Sequence, residues 1–186
     1  MATIESKNVP LGFHAPDFSL LEPLTGKILS LADLKSDKAT LIMFICNHCP
    51  YVKHISEELV RIASDYLHRG LSIIAINSND AEAYPDDSPE KMVEMATMHG
   101  FKFPYLFDKT QEVAKVFDAA CTPDFYLFDR SMMLAYHGQL DDSRPSNSTP
   151  VTGKDLRQAI HAVLENKKVS DLQHPSIGCS IKWKKT

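Results

Sequence analysis

The sequence predicts an α/β fold in which helices cover both faces of a central mixed β-sheet. The first supporting observation is a continuous run rich in strand formers at 40–45, as expected of a strand buried on both faces. The second is the recurrence of apolar residues every three or four positions from Val52 to Tyr66, which is typical of an amphipathic helix. A further apolar run at 71–76 completes a strand, helix and strand, and this order predicts a parallel, right-handed crossover.

Two short alternating segments, 18–21 and 27–31, precede the first buried strand and predict an N-terminal β-hairpin. After the second buried strand, a polar loop leads into a further helix. Ser88 suits the N-cap of that helix, Pro89 its first helical position and Gly100 its end.

A further helix is expected at 111–119. Two short strands follow, at 124–128 and 134–137. Their separation is that of a hairpin, so these strands should pair in the antiparallel sense.

The last predicted helix opens on Thr152, which with Asp155 three residues later resembles a capping box, and it ends near Lys167. No composition shift interrupts the chain before that point, so we expect one domain over residues 1–169. Residues 170–186 are expected to form a tail. The tail has an apolar surface with which it can dock on the domain, formed by Ile177, Ile181 and Trp183.

Composition excludes several classes of protein. Lys and Arg total 20 against 24 Asp and Glu, which gives no basic footprint for nucleic acid. No apolar stretch approaches the roughly 20 residues of a membrane span, and the N-terminus lacks the apolar run of a secretory signal. We therefore expect a cytoplasmic protein. Its four cysteines are too few for a disulfide scaffold and point to catalytic, redox or metal chemistry.

The junction between the first buried strand and its helix reads Cys46-Asn-His-Cys-Pro50. A helix N-terminus offers free N–H groups and the positive end of the helix dipole, which stabilise a thiolate. Proline is favoured at the first helical position, so Pro50 places Cys49 at the N-cap. If Cys46 were the N-cap, Pro50 would obstruct the fourth helical position. The pattern indicates Cys49, at an exposed junction, as the nucleophile.

At these residues the sequence resembles the thioredoxin superfamily, in its peroxiredoxin-like (AhpC/TSA-like, redoxin) branch. The resemblance spans roughly residues 10 to 186 and implies a thioredoxin-like fold with an N-terminal hairpin and a C-terminal tail. Four motifs carry the resemblance: Gly12-Phe-His-Ala-Pro-Asp-Phe-Ser-Leu20, Asn47-His-Cys-Pro-Tyr-Val52, Cys121-Thr-Pro-Asp-Phe125 and Ser176-Ile-Gly-Cys-Ser-Ile-Lys-Trp183.

The resemblance implies a thiol-disulfide oxidoreductase that forms a mixed disulfide on Cys49. The first active cysteine of thioredoxins lies five residues after a strand phenylalanine, and Cys49 lies five residues after Phe44. In this register the second thioredoxin cysteine falls on Val52 and the buried acid falls on Met43. The attacking thiol is therefore present, whereas its usual resolving partner and acid are not.

A peroxidase is disfavoured by the same register. The peroxidatic cysteine would fall on Val52, and its activating threonine on Cys49. The arginine expected just before Phe125 is replaced by Cys121-Thr-Pro123. We therefore expect peroxide to oxidise this protein no faster than an ordinary cysteine of low pKa.

Pro123 resembles the cis-proline that faces the active cysteine in thioredoxin folds. The resemblance implies a cis peptide bond between Thr122 and Pro123, with the backbone before it pairing with a bound substrate chain. Pro50, Thr122 and Pro123 are accordingly the expected substrate-binding residues.

The resolving thiol is expected to be remote in sequence from Cys49. Cys121 is the first candidate because it would be carried on the loop that faces Cys49, within the reach that disulfide geometry demands. Cys179 ranks next because a docked tail would bring it over the same site. Cys46 ranks last, since a rigid strand is expected to hold it.

Two other functions stay open. The first is a copper- or zinc-binding protein that uses the four cysteines with His48 and His54. The second is a thioredoxin-like binding module without turnover. No organic cofactor is expected, because thiol exchange needs none and no glycine-rich nucleotide motif is present. The expected partners are protein or small-molecule thiols and disulfides, and a cellular thiol reductant.

Overall fold

A computed structural model describes residues 3–185 of the chain. The strands are β1 (Thr3–Glu5), β2 (Ser19–Glu22), β3 (Lys27–Ser30), β4 (Ala39–Phe44), β5 (Leu71–Asn77), β6 (Tyr105–Phe107), β7 (Cys121–Thr122), β8 (Asp124–Asp129), β9 (Leu134–Gly138) and β10 (Ile177–Ser180). The α-helices are α1 (Leu31–Leu34), α2 (Pro50–Tyr66), α3 (Pro89–His99), α4 (Glu112–Val116) and α5 (Lys154–Leu164).

Seven strands form the main sheet, in the order β3-β2-β6-β5-β4-β8-β9. β4 lies near its middle, parallel to β5 and antiparallel to β8, and all six of its residues are buried. Burial on both faces explains why β4 is apolar without alternation. The mixed sheet and the parallel β4–α2–β5 unit confirm the predicted α/β class.

Each face of the sheet supports its own core. Helices α2, α3 and α5 pack on the face to which Leu41 and Met43 point, and α2 contributes Leu59 and Ile62 to this core. The opposite face buries Ile42 and Phe44 against α1 and α4. The helices therefore cover both faces, as predicted.

The N-terminal hairpin is confirmed by antiparallel β2 and β3, and the later hairpin by antiparallel β8 and β9. Helix α3 begins as predicted, because the Ser88 side chain accepts a hydrogen bond from the Lys91 backbone N–H. Helix α4 spans only Glu112–Val116 of the predicted 111–119. The short strand β6 was not predicted, since three residues are too few to show a period.

The predicted capping box at Thr152 is wrong. The N-cap of α5 is Gly153, which has a left-handed backbone with a φ of 65°. The Asp141 carboxylate accepts the backbone N–H groups of Thr152 and Gly153 at 2.7 and 2.6 Å. Asp155 instead accepts a hydrogen bond from the Gln139 side chain. A carboxylate from another loop therefore satisfies the backbone just ahead of α5.

A second, three-stranded sheet has the order β1-β10-β7 and brings the two ends of the chain together. Cys179 lies opposite Thr122 in the antiparallel pair of β10 and β7. Thr3 lies opposite Cys179 on the other side of β10. None of the helices in the described part of the chain is long and apolar enough to cross a membrane.

Candidate active site

Cys49 is the N-cap residue of α2, and Pro50 occupies the first helical position. The Cys49 carbonyl accepts backbone hydrogen bonds from Val52 and Lys53 at 3.1 and 3.0 Å. Proline fits this position because its missing N–H would have no partner within the helix. The placement predicted from Pro50 is therefore confirmed.

The expectation that this junction is exposed is wrong. The exposed fraction of Cys49 is 0%, and that of Cys179 is 3%. Both side chains belong to one buried apolar cluster together with Cys46. Cys179 lies opposite Thr122, whose carbonyl oxygen is 3.3 Å from Cys49 Sγ, so β10 covers the start of α2.

The donors beside the Cys49 sulfur favour its thiolate, whereas the Thr122 carbonyl oxygen, 3.3 Å away, can accept a hydrogen bond only from the thiol. Donation from the Cys46 thiol, against the opposing effect of burial, and donation from Cys179 lower the pKa of Cys49 to about 5. The same bond to Cys49, together with burial, raises the pKa of Cys46 well above its ordinary value. At neutral pH Cys49 is therefore the thiolate, and Cys46 is a neutral donor to it.

The Thr122–Pro123 loop faces these sulfurs. Its peptide bond is cis, as expected. The Thr122 carbonyl oxygen lies 3.3 Å from Cys49 Sγ, and the Thr122 hydroxyl lies 3.2 Å from Cys46 Sγ. Thr122 therefore contacts both cysteines of the strand–helix junction.

The expectation that Cys121 faces Cys49 is not supported by the register. Residues directly opposite in an antiparallel pair place their side chains on the same face, and successive residues alternate. Thr122 lies opposite Cys179, and Cys121 lies opposite Ser180. Cys121 is fully buried, and its Sγ lies 3.7 Å from the Pro123 carbonyl oxygen. Cys179 therefore shares the face of Thr122, whereas Cys121 does not.

A buried carboxylate that sequence reasoning missed organises the loop before Cys49. Asp87 is fully buried, and its Oδ1 accepts the backbone N–H groups of Asn47 and His48 at 2.8 and 3.3 Å. Its Oδ2 accepts the Asn79 side-chain amide at 2.8 Å and contacts His48 Nδ1 at 2.5 Å. Burial raises the pKa of Asp87, but the hydrogen bonds from His48 and Asn79 outweigh it and hold this pKa below its usual range.

His48 links this carboxylate to the surface. Its hydrogen bond with Asp87 raises the pKa of His48 above the ordinary value. The ring stacks on Tyr84 with an interplanar angle of 5°. The signal that could have found Asp87 is topological: its loop follows β5, the cysteine loop follows β4, and neighbouring parallel strands end at one edge of the sheet.

One set of potential metal ligands lies at this site among the described residues. Cys46, His48 and Asp87 each offer an atom within 4.8 Å of the others. Both Asp87 oxygens already accept hydrogen bonds, one of them from His48. A metal ion bound by Asp87 would compete with the hydrogen bonds that its carboxylate oxygens accept.

Two solved structures match this chain along nearly its whole length. An uncharacterized conserved protein from Geobacillus kaustophilus is 59% identical with a TM-score of 0.98, covering 100% of this chain and 98% of its own. A hypothetical protein from Sinorhizobium meliloti 1021 is 48% identical with a TM-score of 0.95, covering 98% of this chain and 99% of its own.

Two more distant matches are named for thiol-disulfide chemistry. The thiol-disulfide oxidoreductase ResA of Halalkalibacterium halodurans is 25% identical over 129 residues, which cover 69% of this chain. The match covers 65% of ResA, so this chain spans slightly less than two thirds of that relative. A thiol:disulfide interchange protein of the thioredoxin family from Chlorobium tepidum TLS is 19% identical with a TM-score of 0.63, covering 85% of this chain and 99% of its own.

These matches establish both the family and the fold. The likeness to the Chlorobium structure shows the thioredoxin-like fold that the motifs implied. The AhpC/TSA family matches residues 11–137, which is more than half of the chain and includes Cys49 and the cis-proline loop. The protein therefore belongs to the AhpC/TSA family of the thioredoxin superfamily.

Proposed function

We propose that the protein is a thiol-disulfide oxidoreductase in which Cys49 is the nucleophile and Cys179 the resolving thiol. One observation carries the proposal: β10 places Cys179 directly opposite Thr122, whose carbonyl oxygen lies 3.3 Å from the sulfur of Cys49 at the helix N-terminus. Thiol exchange requires a thiolate and a second thiol within reach. This arrangement replaces Cys121, the first candidate from the sequence, with Cys179.

The reaction consists of two exchanges. The Cys49 thiolate attacks one sulfur of a substrate disulfide, and the other half of the substrate leaves as a thiolate that takes a proton from water. Cys179 then loses its proton to water and attacks the Cys49 sulfur, which releases the second half of the substrate. Two electrons pass to the substrate, a Cys49–Cys179 disulfide forms, and a cellular thiol reductant returns the electrons.

The charge on Cys49 controls when Cys179 can lose its proton, and this determines the order of the two steps. Burial and the neighbouring Cys49 thiolate raise the pKa of Cys179 to about 12 in the resting protein. Formation of the mixed disulfide removes the charge of that thiolate. Cys179 therefore becomes easier to deprotonate only after the first step, when a resolving thiol is needed.

The comparisons support the reaction class. ResA, one of the matches, is named a thiol-disulfide oxidoreductase. We accordingly propose protein or small-molecule disulfides as the substrates of this chain. The proposal keeps the expected cytoplasmic setting, in which thiol reductants are abundant. A peroxidase stays disfavoured because Val52 occupies the peroxidatic position and is fully buried. Stopped-flow oxidation by peroxide should be no faster than that of a free cysteine of low pKa.

Turnover of hydroxyethyl disulfide with dithiothreitol as the reductant tests the proposal. The wild type should reduce this disulfide, and Cys49→Ser should lose at least 100-fold of the enzyme-dependent rate. Cys121→Ser is the matched control, because Cys121 lies on the face of β7 away from Thr122 and Cys179 and the change leaves the nucleophile in place. Equal rates for the wild type and Cys49→Ser would overturn the proposal.

A further inference from the structure

The chain itself fills the backbone edge next to the cis-proline. We call residues 177–182 the strap. Its strand β10 pairs with Cys121 and Thr122 of β7, which precede Pro123. The Ile181 N–H extends the pairing by donating to the Ala120 carbonyl at 2.9 Å.

The strap lies too close to this edge for any residue but glycine at position 178. A Cβ atom at Gly178 would lie 2.0 Å from the Thr122 carbonyl oxygen and 2.6 Å from the Thr122 carbonyl carbon. Both contacts are with backbone, which cannot move aside as the end of a side chain can. The close approach lets Cys179, the next residue, reach Cys49.

Polar groups of the loops after β5 and β6 hold the end of the strap. The Lys182 N–H donates to Asn79 Oδ1 at 2.8 Å, and the Lys182 carbonyl accepts from Asp80 N–H and Gln111 Nε2 at 2.8 Å each. Gln111 Oε1 also accepts the Lys184 N–H at 2.8 Å. Asn79 donates to Asp87, so the strap is bonded to the carboxylate that organises the cysteine loop.

With the strap in place, an external disulfide cannot reach Cys49, whose exposed fraction is 0%. We propose that the strap is a gate: it detaches from β7 to admit substrate and returns to bring Cys179 to the mixed disulfide. The strap is attached to the rest of the fold by the pairing of β10 with the two-residue strand β7 and by the hydrogen bonds of Lys182, and an element held in this way can open without global unfolding.

The redox state of Cys49 and Cys179 determines how far the strap can open. This part of the inference rests on the proposed function. In the dithiol form, hydrogen bonds and packing alone hold the strap. In the disulfide form, the Cys49–Cys179 bond ties the strap to α2. The reduced protein can therefore open fully to accept a substrate. In the oxidised protein the strap stays tied to α2 and must lift from β7 for a thiol reductant to reach the Cys49–Cys179 bond.

The rate of Cys49 alkylation by iodoacetamide in the folded, reduced protein tests the gate, with each cysteine followed by peptide mass spectrometry. Gly178→Val forces the strap off β7 and should raise the rate at least tenfold. Ile177→Val is the matched control on the same strand and should stay within twofold of the wild type. Equal rates for Gly178→Val and the wild type would overturn the gate.

A second variant tests the gate in the event that Gly178→Val does not fold. Gln111→Asn introduces a residue type that tolerates the positive φ of 65° at this position. The new side chain is too short to hold the strap as Gln111 does. It should raise the alkylation rate of Cys49 by a smaller factor, above twofold, and a rate equal to the wild type would count against the gate.

The two proposals fail in different ways. Faster alkylation of Cys49 in Gly178→Val with no disulfide turnover in any variant would support the gate and overturn the proposed function. Turnover that depends on Cys49, with alkylation unchanged in both variants, would support the function and overturn the gate.

Discussion

The β4–α2 junction and the strap meet at the same sulfur atom, but their positions have different origins. At the junction, local rules fix Cys49: an apolar strand ends, Pro50 opens a helix, and the cysteine between them becomes the N-cap. The strap reaches Cys49 only through the assembled fold, since β10 needs β7 and β1 as neighbours. The proposed nucleophile is thus placed by local rules, whereas its burial and its proposed partner thiol come from a distant segment.

The largest expected effect separates the two remote cysteines. Without dithiothreitol, which could itself resolve a mixed disulfide, Cys179→Ser treated with hydroxyethyl disulfide should accumulate at least 100-fold more of the mixed disulfide on Cys49 than the wild type. Cys121→Ser is the matched control and should stay within about threefold of the wild type, since Cys121 lies on the other face of β7. Mass spectrometry of the trapped protein measures both, and the reverse order would restore Cys121 as the resolving thiol.

Substitutions in the core and in the strap should affect different quantities, namely the free energy of global unfolding and that of local opening. Ile42 is fully buried in β4, and Ile42→Ala should lower the free energy of unfolding by about 2–5 kcal/mol. Ile181→Ala should act mainly on local opening, because the strap can detach while the main sheet stays folded. Native-state hydrogen exchange measures this local opening. In Ile181→Ala, the strap amides should exchange faster than in the wild type, while the amides of β4 stay protected. Equal acceleration in both would show that the strap and the core open together.

The Cys46 donor should control the thiolate. Absorbance at 240 nm should show thiolate formation at about pH 5, the pKa of Cys49. Cys46→Ala should raise this pKa because it removes the thiol that donates to Cys49. Cys46→Ser should raise it less, since a hydroxyl keeps a donor there. An unchanged midpoint in Cys46→Ala would show that the helix and the strap alone stabilise the thiolate.

The smallest expected effect concerns the loop carboxylate. Asp87→Asn should lower the pKa of His48 toward its ordinary value, as measured by NMR titration, because Asp87 raises it. Since the folded-state pKa is the raised one, the ion pair stabilises the fold below about pH 6.5 and loses that effect as pH rises through the folded pKa. The stability difference between wild type and variant should therefore shrink as pH rises. A difference independent of pH would mean that Asp87 acts only through the backbone amides.

The parts of the fold that the sequence predicts are those with a local period. The buried run of β4, the helical spacing of α2 and the Ser88-Pro89 start of α3 are properties of adjacent residues. Strands β1, β7 and β10 have four residues or fewer and obtain their hydrogen bonds from each other, so no local pattern marks them.

The site divides in the same way. Cys49 and the cis bond before Pro123 follow from the motifs. The contact of Cys179 depends on the register of β10 against β7, which a one-residue shift would reverse. The role of Asp87 depends on two loops meeting at one edge of the parallel strands. The positions of the cysteines in the sequence could therefore not predict that Cys179, rather than Cys121, shares the face of Thr122.

Disulfide mapping shows whether the strap supplies the partner of Cys49. The folded, reduced protein is oxidised mildly with one equivalent of a small-molecule disulfide, alkylated, digested and analysed by mass spectrometry. We expect a Cys49–Cys179 linkage as the main product. A main product linking Cys49 to Cys121 or to Cys46 would contradict the account.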